Sequence, residues 1–71
     1  MAVFEFLRRA VHELVGVPEE EIRPESTKEE LKLDSFDVEE LVIDVEKEYD
    51  IYLTDTDFDT LGELARLVMA A

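Results

Sequence analysis

Apolar residues recur at helical spacing, with polar residues between them, in three separate stretches of the chain. The first stretch is VFEFLRRAVHELV, where charged residues stand largely between apolar residues that recur every three or four positions. This pattern predicts a helix over about residues 2–15, and the following Gly16 and Pro18 are typical of a helix end. The apolar positions of this helix are Val3, Phe6, Leu7, Ala10, Val11 and Leu14.

The stretch from residue 35 to residue 49 gives the strongest helical pattern. It has one apolar stripe and an acidic opposite side on which Lys47 is the only base. Ile43 lies outside the stripe, among the acids, which makes it a predicted contact point for a partner. The stripe contains Val38, Leu41, Val42, Val45 and Tyr49, and the acids are Asp37, Glu39, Glu40, Asp44, Glu46 and Glu48.

A third helix is predicted for LGELARLVMA, residues 61–70. Thr60 precedes it, and Glu63 stands at the spacing of a capping box. Thr54 and Asp57 form a weaker box, which indicates one short helical turn around residues 54–59. The predicted fold is therefore all-α: a single domain, residues 1–71, folded as a small four-helix bundle of three main helices and a short third helix before the last one.

The long connection over residues 16–34 contains both prolines of the chain, which argues against one continuous helix. Ser26 stands three residues before Glu29, so one capped helical turn is expected inside it. Structured loops of this length often carry function in small domains. The residues expected to tie the connection to the core are Val17, Ile22, Leu31 and Leu33.

The charge balance restricts the classes of partner. The chain has 20 acids and 7 bases, a net charge of −13, so nucleic acids and anionic membranes should be repelled. The acidity fits either a basic protein partner or merely high solubility. No apolar run is long enough for membrane insertion, and the first residues lack the order of a signal peptide, so the cytoplasm is the expected location. The chain has no cysteine, so thiol chemistry would require a cofactor that brings a thiol.

Few residues suit catalysis or metal binding. A hydrolase would need Ser35 and the single histidine, His12, to meet, and no third orienting group is indicated. The stretch DTDFDT begins like a calcium-binding loop, but Thr60 and Arg66 stand where that loop needs glycine and glutamate. Neither an active site nor a dedicated metal site is predicted.

Ser35 can be interpreted in two ways. Serine is a preferred helix N-cap, although Asp34, with Asp37 three residues later, could equally be the cap. Alternatively, an exposed serine at a helix start could carry a phosphodiester, because the free N–H groups and the helix dipole favour an anion there. The acidic helix that follows could orient a basic enzyme around the serine.

The sequence also resembles a known family. LKLDSFDVEELVIDVEKEYDIYL resembles the central segment of acyl carrier proteins, in which Asp-Ser-Leu precedes an acidic amphipathic helix. VHELVGVPEEEI resembles the end of the family's first helix, and TLGELARLV resembles its last helix. The resemblance covers nearly the whole chain.

The resemblance implies a function and a set of site residues. Ser35 would be esterified by the phosphate of 4′-phosphopantetheine from coenzyme A, whose thiol carries acyl groups as thioesters. Asp34 would be presented to the phosphopantetheinyl transferase, and Phe36 would lie beside the arm. Acyl-loading and acyl-using enzymes would dock through basic patches, and the monomeric domain itself would catalyse nothing. The implied docking residues are Asp37, Glu40, Ile43, Glu46 and Glu48, with Glu39 and Asp44 on the same surface.

Some residues depart from the family pattern. Phe36 stands where leucine or methionine is usual, and Glu39 and Asp44 stand where the family has small residues. The stretch DTDFDT is short for the third-helix region, and Phe58 would replace an aliphatic anchor there. The family resemblance implies a carrier in fatty-acid, polyketide or related specialised biosynthesis. These differences suggest a specialised carrier, for polyketide, peptide, modified-lipid or D-alanine chemistry, rather than the main fatty-acid one. The alternative hypothesis is an unmodified acidic adaptor that binds a basic protein and uses Ser35 only as a cap.

Overall fold

The computed structural model describes residues 2–71 and contains three α-helices. Helix α1 spans Ala2–Val15, α2 spans Ser35–Tyr49 and α3 spans Leu61–Ala70. A short 3₁₀ helix, Glu19–Glu21, lies in the long connection between α1 and α2. Helix α1 packs against both α2 and α3, whereas α2 and α3 make few direct contacts. The all-α class and the bounds predicted for the three main helices are confirmed.

One hydrophobic core joins the three helices. The predicted stripe of α2 faces this core, with Leu41 and Val45 fully buried. In α1 the pattern misplaced one aromatic residue, because Phe4 is buried while Phe6 is only partly buried. The Phe6 ring instead meets the Tyr49 ring edge-on, with centroids 5.7 Å apart. The full set of buried core residues is Phe4, Leu7, Ala10, Val11, Ile22, Leu31, Leu41, Val45, Leu53, Phe58, Leu61, Leu64, Ala65 and Val68.

The long connection is anchored as predicted, but its capped turn lies one residue further on. Ile22 and Leu31 are buried, and the N–H of Leu31 donates to the Thr27 carbonyl at 3.1 Å. The cap is formed by Thr27 and Glu30, whose side chains each accept the other's backbone N–H at 3.0 Å. The prediction of a Ser26 cap was therefore wrong, since the backbone of Ser26 is held to α3.

Hydrogen bonds between backbone groups join this connection to the start of α3. Lys28 N–H donates to the Asp59 carbonyl at 2.9 Å, and Leu61 N–H donates to the Ser26 carbonyl at 3.0 Å. Gly62 N–H donates to the Pro24 carbonyl at 2.8 Å. A Cβ atom at residue 62 would lie 3.1 Å from that carbonyl oxygen, so glycine permits the close approach. These bonds fix the connection that leads into α2.

The short helix predicted around residues 54–59 does not form. The N–H of Asp57 donates to the Asp55 carboxylate at 2.9 Å, a local bond that competes with helical hydrogen bonding. The capping box predicted for Thr54 and Asp57 is also absent, because the Asp57 N–H donates to Asp55 instead of Thr54. Phe58 is nevertheless buried, with the Lys28 ammonium 4.9 Å from its ring centroid. Phe58 thus anchors an irregular segment to the core.

The predicted capping box at the start of α3 is present. Glu63 N–H donates to the Thr60 hydroxyl at 3.2 Å, and Thr60 N–H donates to the Glu63 carboxylate at 3.0 Å. Asp59 N–H also donates to this carboxylate, at 2.8 Å. These backbone hydrogen bonds, Thr60 first and Asp59 second, lower the pKa of Glu63 because they favour its ionised form.

We expect the stabilising effect of Glu63 to depend on pH. Because its pKa is lower in the folded state, Glu63 contributes stability at pH values above its unfolded pKa, and this contribution is lost as pH falls through the folded value. The stability difference between the native chain and Glu63→Gln should therefore be largest near neutral pH and shrink in acid. Urea unfolding of both chains over this pH range tests it, and a difference that stays constant would contradict it.

Candidate functional site

The start of α2 is capped by Asp34. Its carboxylate accepts the N–H of Asp37 at 2.8 Å, and the Asp37 carboxylate lies 3.4 Å from the N–H of Asp34. Asp34 has extended backbone geometry, and Ser35 is the first residue of the helix. Of the two caps that the sequence left open, Asp34 is therefore the one used, and Ser35 has no capping role.

The Ser35 side chain is exposed at this helix start. Within residues 2–71 its hydroxyl makes no hydrogen bond to another side chain or to the backbone, and the N–H groups of Ser35 and Phe36 have no acceptor. The first N–H groups of a helix and its dipole favour a bound phosphate group. The residues present at this position therefore fit a phosphodiester on the serine hydroxyl.

The chain that leads into Ser35 is well anchored. Leu31 is buried, and the N–H of Leu33 donates to the Lys28 carbonyl at 2.9 Å. Lys32 between them has a positive φ of 58°, which turns the chain sharply before the helix. The serine is thus presented on a fixed backbone, beside a Phe36 side chain that is 80% exposed.

The outer surface of α2 is defined here by Phe36, Glu39, Glu40 and Ile43. Successive helix residues are rotated by about 100°, so these four residues point away from the stripe that faces the core. All four are exposed, and Ile43 is 40% exposed despite being apolar. Phe36 and Ile43 are seven residues apart, or about 10 Å along the helix axis. The outer surface therefore has two apolar contact points with carboxylates between them.

The other residues predicted to bind partners are placed differently. Asp37 belongs to the cap, and the half-buried Glu46 accepts the N–H of Leu53 at 2.9 Å. Asp44 and Glu48 line a groove of about 350 Å³ between α1 and α2. The other residues that line this groove are Phe6, Arg9, Ala10, Glu13 and Lys47. The structure thus separates the predicted docking residues into an outer surface, a groove and two structural contacts.

Sequence reasoning missed one exposed aromatic residue. Tyr52 is 78% exposed, in the irregular segment after α2. The available signal was its position after the end of the helical pattern, outside any apolar stripe. His12, by contrast, lies half-buried, and its Nδ1 atom is 2.8 Å from the Val17 carbonyl oxygen. His12 therefore stabilises the end of α1.

Ion pairs neutralise little of the negative charge on the surface. Among the described residues the single ion pair within 4 Å joins Arg8 to Glu5, at 3.3 Å.

No group of three or more carboxylates or histidines in residues 2–71 is arranged to hold a metal ion. In the same residues, no helix combines the length and the apolar character that crossing a membrane requires.

We expect added salt to stabilise the fold. With 20 acids and 7 bases, mutual repulsion opposes folding, and mobile ions screen it. A screening contribution of about 1 kcal/mol would raise the Tm by roughly 4–8 °C. Thermal melts at low and moderate sodium chloride concentration measure this. The matched variant Glu39→Lys should respond less, and a native Tm that does not change with salt would contradict the prediction.

Comparison with known proteins agrees with this geometry. A family model described as a phosphopantetheine attachment site matches residues 5–68. The chain is 38% identical to the acyl carrier protein of Streptococcus thermophilus over 69 residues, which is 96% of this chain and 93% of that protein. It is 35% identical to the acyl carrier proteins of Lactococcus lactis subsp. cremoris and Streptococcus pyogenes, again over 96% of this chain and 94% and 93% of theirs.

These matches define a phosphopantetheine-dependent carrier. The chain belongs to the acyl carrier protein family. Its cofactor is 4′-phosphopantetheine, which supplies the thiol that the sequence lacks and holds acyl groups as thioesters. Acyl carrier proteins interact with phosphopantetheinyl transferases and acyl-handling enzymes and are not themselves enzymes. The alternative of an unmodified adaptor finds no support in the comparisons.

Proposed function

We propose that Ser35 is the residue that bears 4′-phosphopantetheine. The observation that carries this assignment is that Asp34, and not Ser35, caps α2. The hydroxyl is therefore exposed and free at the start of the helix. Two N–H groups without acceptors, those of Ser35 and Phe36, lie at the same helix start and are available to donate to a phosphate on the hydroxyl.

The outer surface of α2 is the proposed docking site for the transferase and for the enzymes that load and use the acyl group. Phe36 and Ile43 provide apolar contacts, and Glu39 and Glu40 complement basic patches on those enzymes. The chain would then be a substrate of other enzymes. Its monomeric state and its cytoplasmic location stay predictions from the sequence.

Several features support a specialised carrier. Phe36 is bulky and almost fully exposed beside the attachment serine, and Glu39 adds an acid to the docking surface. The segment between α2 and α3 lacks a helix. Enzymes shaped for a smaller residue at position 36 should therefore act poorly on this chain. Efficient acylation by fatty-acid enzymes, combined with weak acylation by a dedicated synthetase, would overturn the proposal.

Intact mass spectrometry tests the assignment of a carrier. The chain is incubated with coenzyme A, magnesium and a broad-specificity phosphopantetheinyl transferase. We expect a gain of one phosphopantetheine per chain, and fragmentation of the product should place it on the peptide that contains Ser35. No gain with several transferases, or a gain on another peptide, would refute the assignment.

The docking surface can be tested with a matched pair of substitutions. Ile43→Glu places a charge on the outer surface, whereas Met69→Glu makes the same change on α3, where the residue is 50% exposed. We expect Ile43→Glu to lower the kcat/KM of the transferase about tenfold, because an apolar anchor is among the minority of interface residues whose loss weakens binding by more than about 1 kcal/mol. Met69→Glu should have little effect. An equal loss in both variants would exclude a specific role for Ile43.

A further inference from the structure

Glu46 has an unusual position among the acids of α2. Unlike Glu39 and Glu40, it is half-buried, and its carboxylate is occupied by the Leu53 N–H at 2.9 Å. Its backbone carbonyl accepts two further N–H groups, those of Asp50 and Ile51. One residue thus receives three donors from the chain that leaves the helix.

These bonds hold one end of segment 50–58, the irregular stretch after α2. Asp50 turns the chain with a φ of 53°, and the Glu46 carboxylate then fixes Leu53, which is 7% exposed. Between Leu53 and Asp59, the described residues show the hydrogen bond from the Asp57 N–H to the Asp55 carboxylate. This bond is local, because it joins residues two positions apart. The segment is therefore attached by hydrogen bonds near Leu53 and again at Asp59.

Glu46 also lies within reach of a partner on the outer surface. It follows Glu39 by seven residues, so the two side chains point in nearly the same direction, about 10 Å apart along the axis. Glu39 is exposed, and its side chain makes no hydrogen bond among the described residues. A basic side chain that approaches along this flank meets Glu39 first and Glu46 next.

We propose that the Glu46 carboxylate is a latch that couples partner docking to the opening of segment 50–58. A lysine or arginine of the partner that pairs with Glu46 draws the half-buried carboxylate outward, away from the Leu53 N–H that it accepts on the protein side. Docking then frees Leu53 and loosens the segment beyond it. This inference rests on the proposed docking of basic proteins to α2, and it makes Glu46 a positioning residue rather than a simple docking contact.

Amide hydrogen exchange of the Leu53 N–H tests the latch in the isolated protein. We expect Glu46→Ala to speed exchange at Leu53 by about tenfold or more, the effect of losing a hydrogen bond to a charged acceptor. Glu46→Gln keeps an acceptor and should retain much of the protection. Glu39→Ala is the matched control and should leave Leu53 unchanged, while Val45 in the core reports global opening. Equal exchange at Leu53 in the native chain and in Glu46→Ala would overturn the latch.

A hexalysine peptide, with hexaglycine as a neutral control, tests the coupling. We expect hexalysine to shift the amide signals of Glu39 and Glu40 and to speed exchange at Leu53 in the native chain. In Glu46→Gln it should shift the same signals without speeding exchange. Binding to the native chain with unchanged or slower exchange at Leu53, or no binding, would refute the coupling. The chain carrying Ser35→Ala should behave like the native chain, so this result is independent of whether Ser35 is modified.

Discussion

Replacement of Ser35 by alanine is expected to abolish phosphopantetheine transfer without disturbing the fold. The reaction needs a hydroxyl at this position, and alanine has none. Because Asp34 provides the cap, the substitution removes no hydrogen bond of the folded chain. Alanine is also a good helix former, so the free energy of unfolding should change by no more than about 0.5 kcal/mol.

Two further variants separate chemistry from folding. Ser26→Ala removes another hydroxyl, one that accepts the Arg23 N–H at 3.0 Å, and should leave modification intact. Asp34→Ala removes the cap and should lower stability by about 0.5–2 kcal/mol. Intact mass spectrometry reads modification, and urea unfolding followed by circular dichroism reads stability. If Ser35→Ala still gained the arm, another nucleophile would have to be the attachment site.

The helices could be predicted because their ends are marked locally. Gly16 follows α1 with a φ of 79°, and Thr60 with Glu63 defines the start of α3. The α2 cap was ambiguous in the sequence because serine and aspartate are both good caps, and only the geometry of Asp34 and Asp37 distinguishes them. Periodicity could therefore locate the candidate serine, but not show that its hydroxyl is free.

The irregular segments were harder to predict because local side-chain hydrogen bonds and contacts distant in sequence decide them. Acids at alternate positions in residues 55–59 formed a local turn where a helix was expected. Ser26 was unavailable as a cap because its carbonyl binds the N–H of Leu61, which is remote along the chain. Glu46 was counted with the exposed acids because periodicity shows only the direction in which a side chain leaves the helix. Periodicity cannot show that the chain after the helix returns and places the Leu53 N–H beside the Glu46 carboxylate.

Phe58→Ala should be the most destabilising change in the irregular segment. The ring is 3% exposed at the end of a segment without helical hydrogen bonds, so its packing is what attaches this end of the stretch to the core. Removal of a buried phenylalanine side chain typically lowers stability by about 3–5 kcal/mol. A domain of 71 residues has a total stability of only about 4–10 kcal/mol, so this loss could unfold a large fraction of the molecules.

Tyr52→Ala is the matched control for this prediction, because it removes an aromatic ring from the same segment. Tyr52 is 78% exposed, so its loss should change stability by no more than about 0.5 kcal/mol. Phe58→Leu should recover part of the stability, since leucine refills much of the cavity. Urea unfolding of the three variants gives the comparison. If Phe58→Ala and Tyr52→Ala were equally mild, the segment would be held by its terminal hydrogen bonds at Leu53 and Asp59, and Phe58 would not be its anchor.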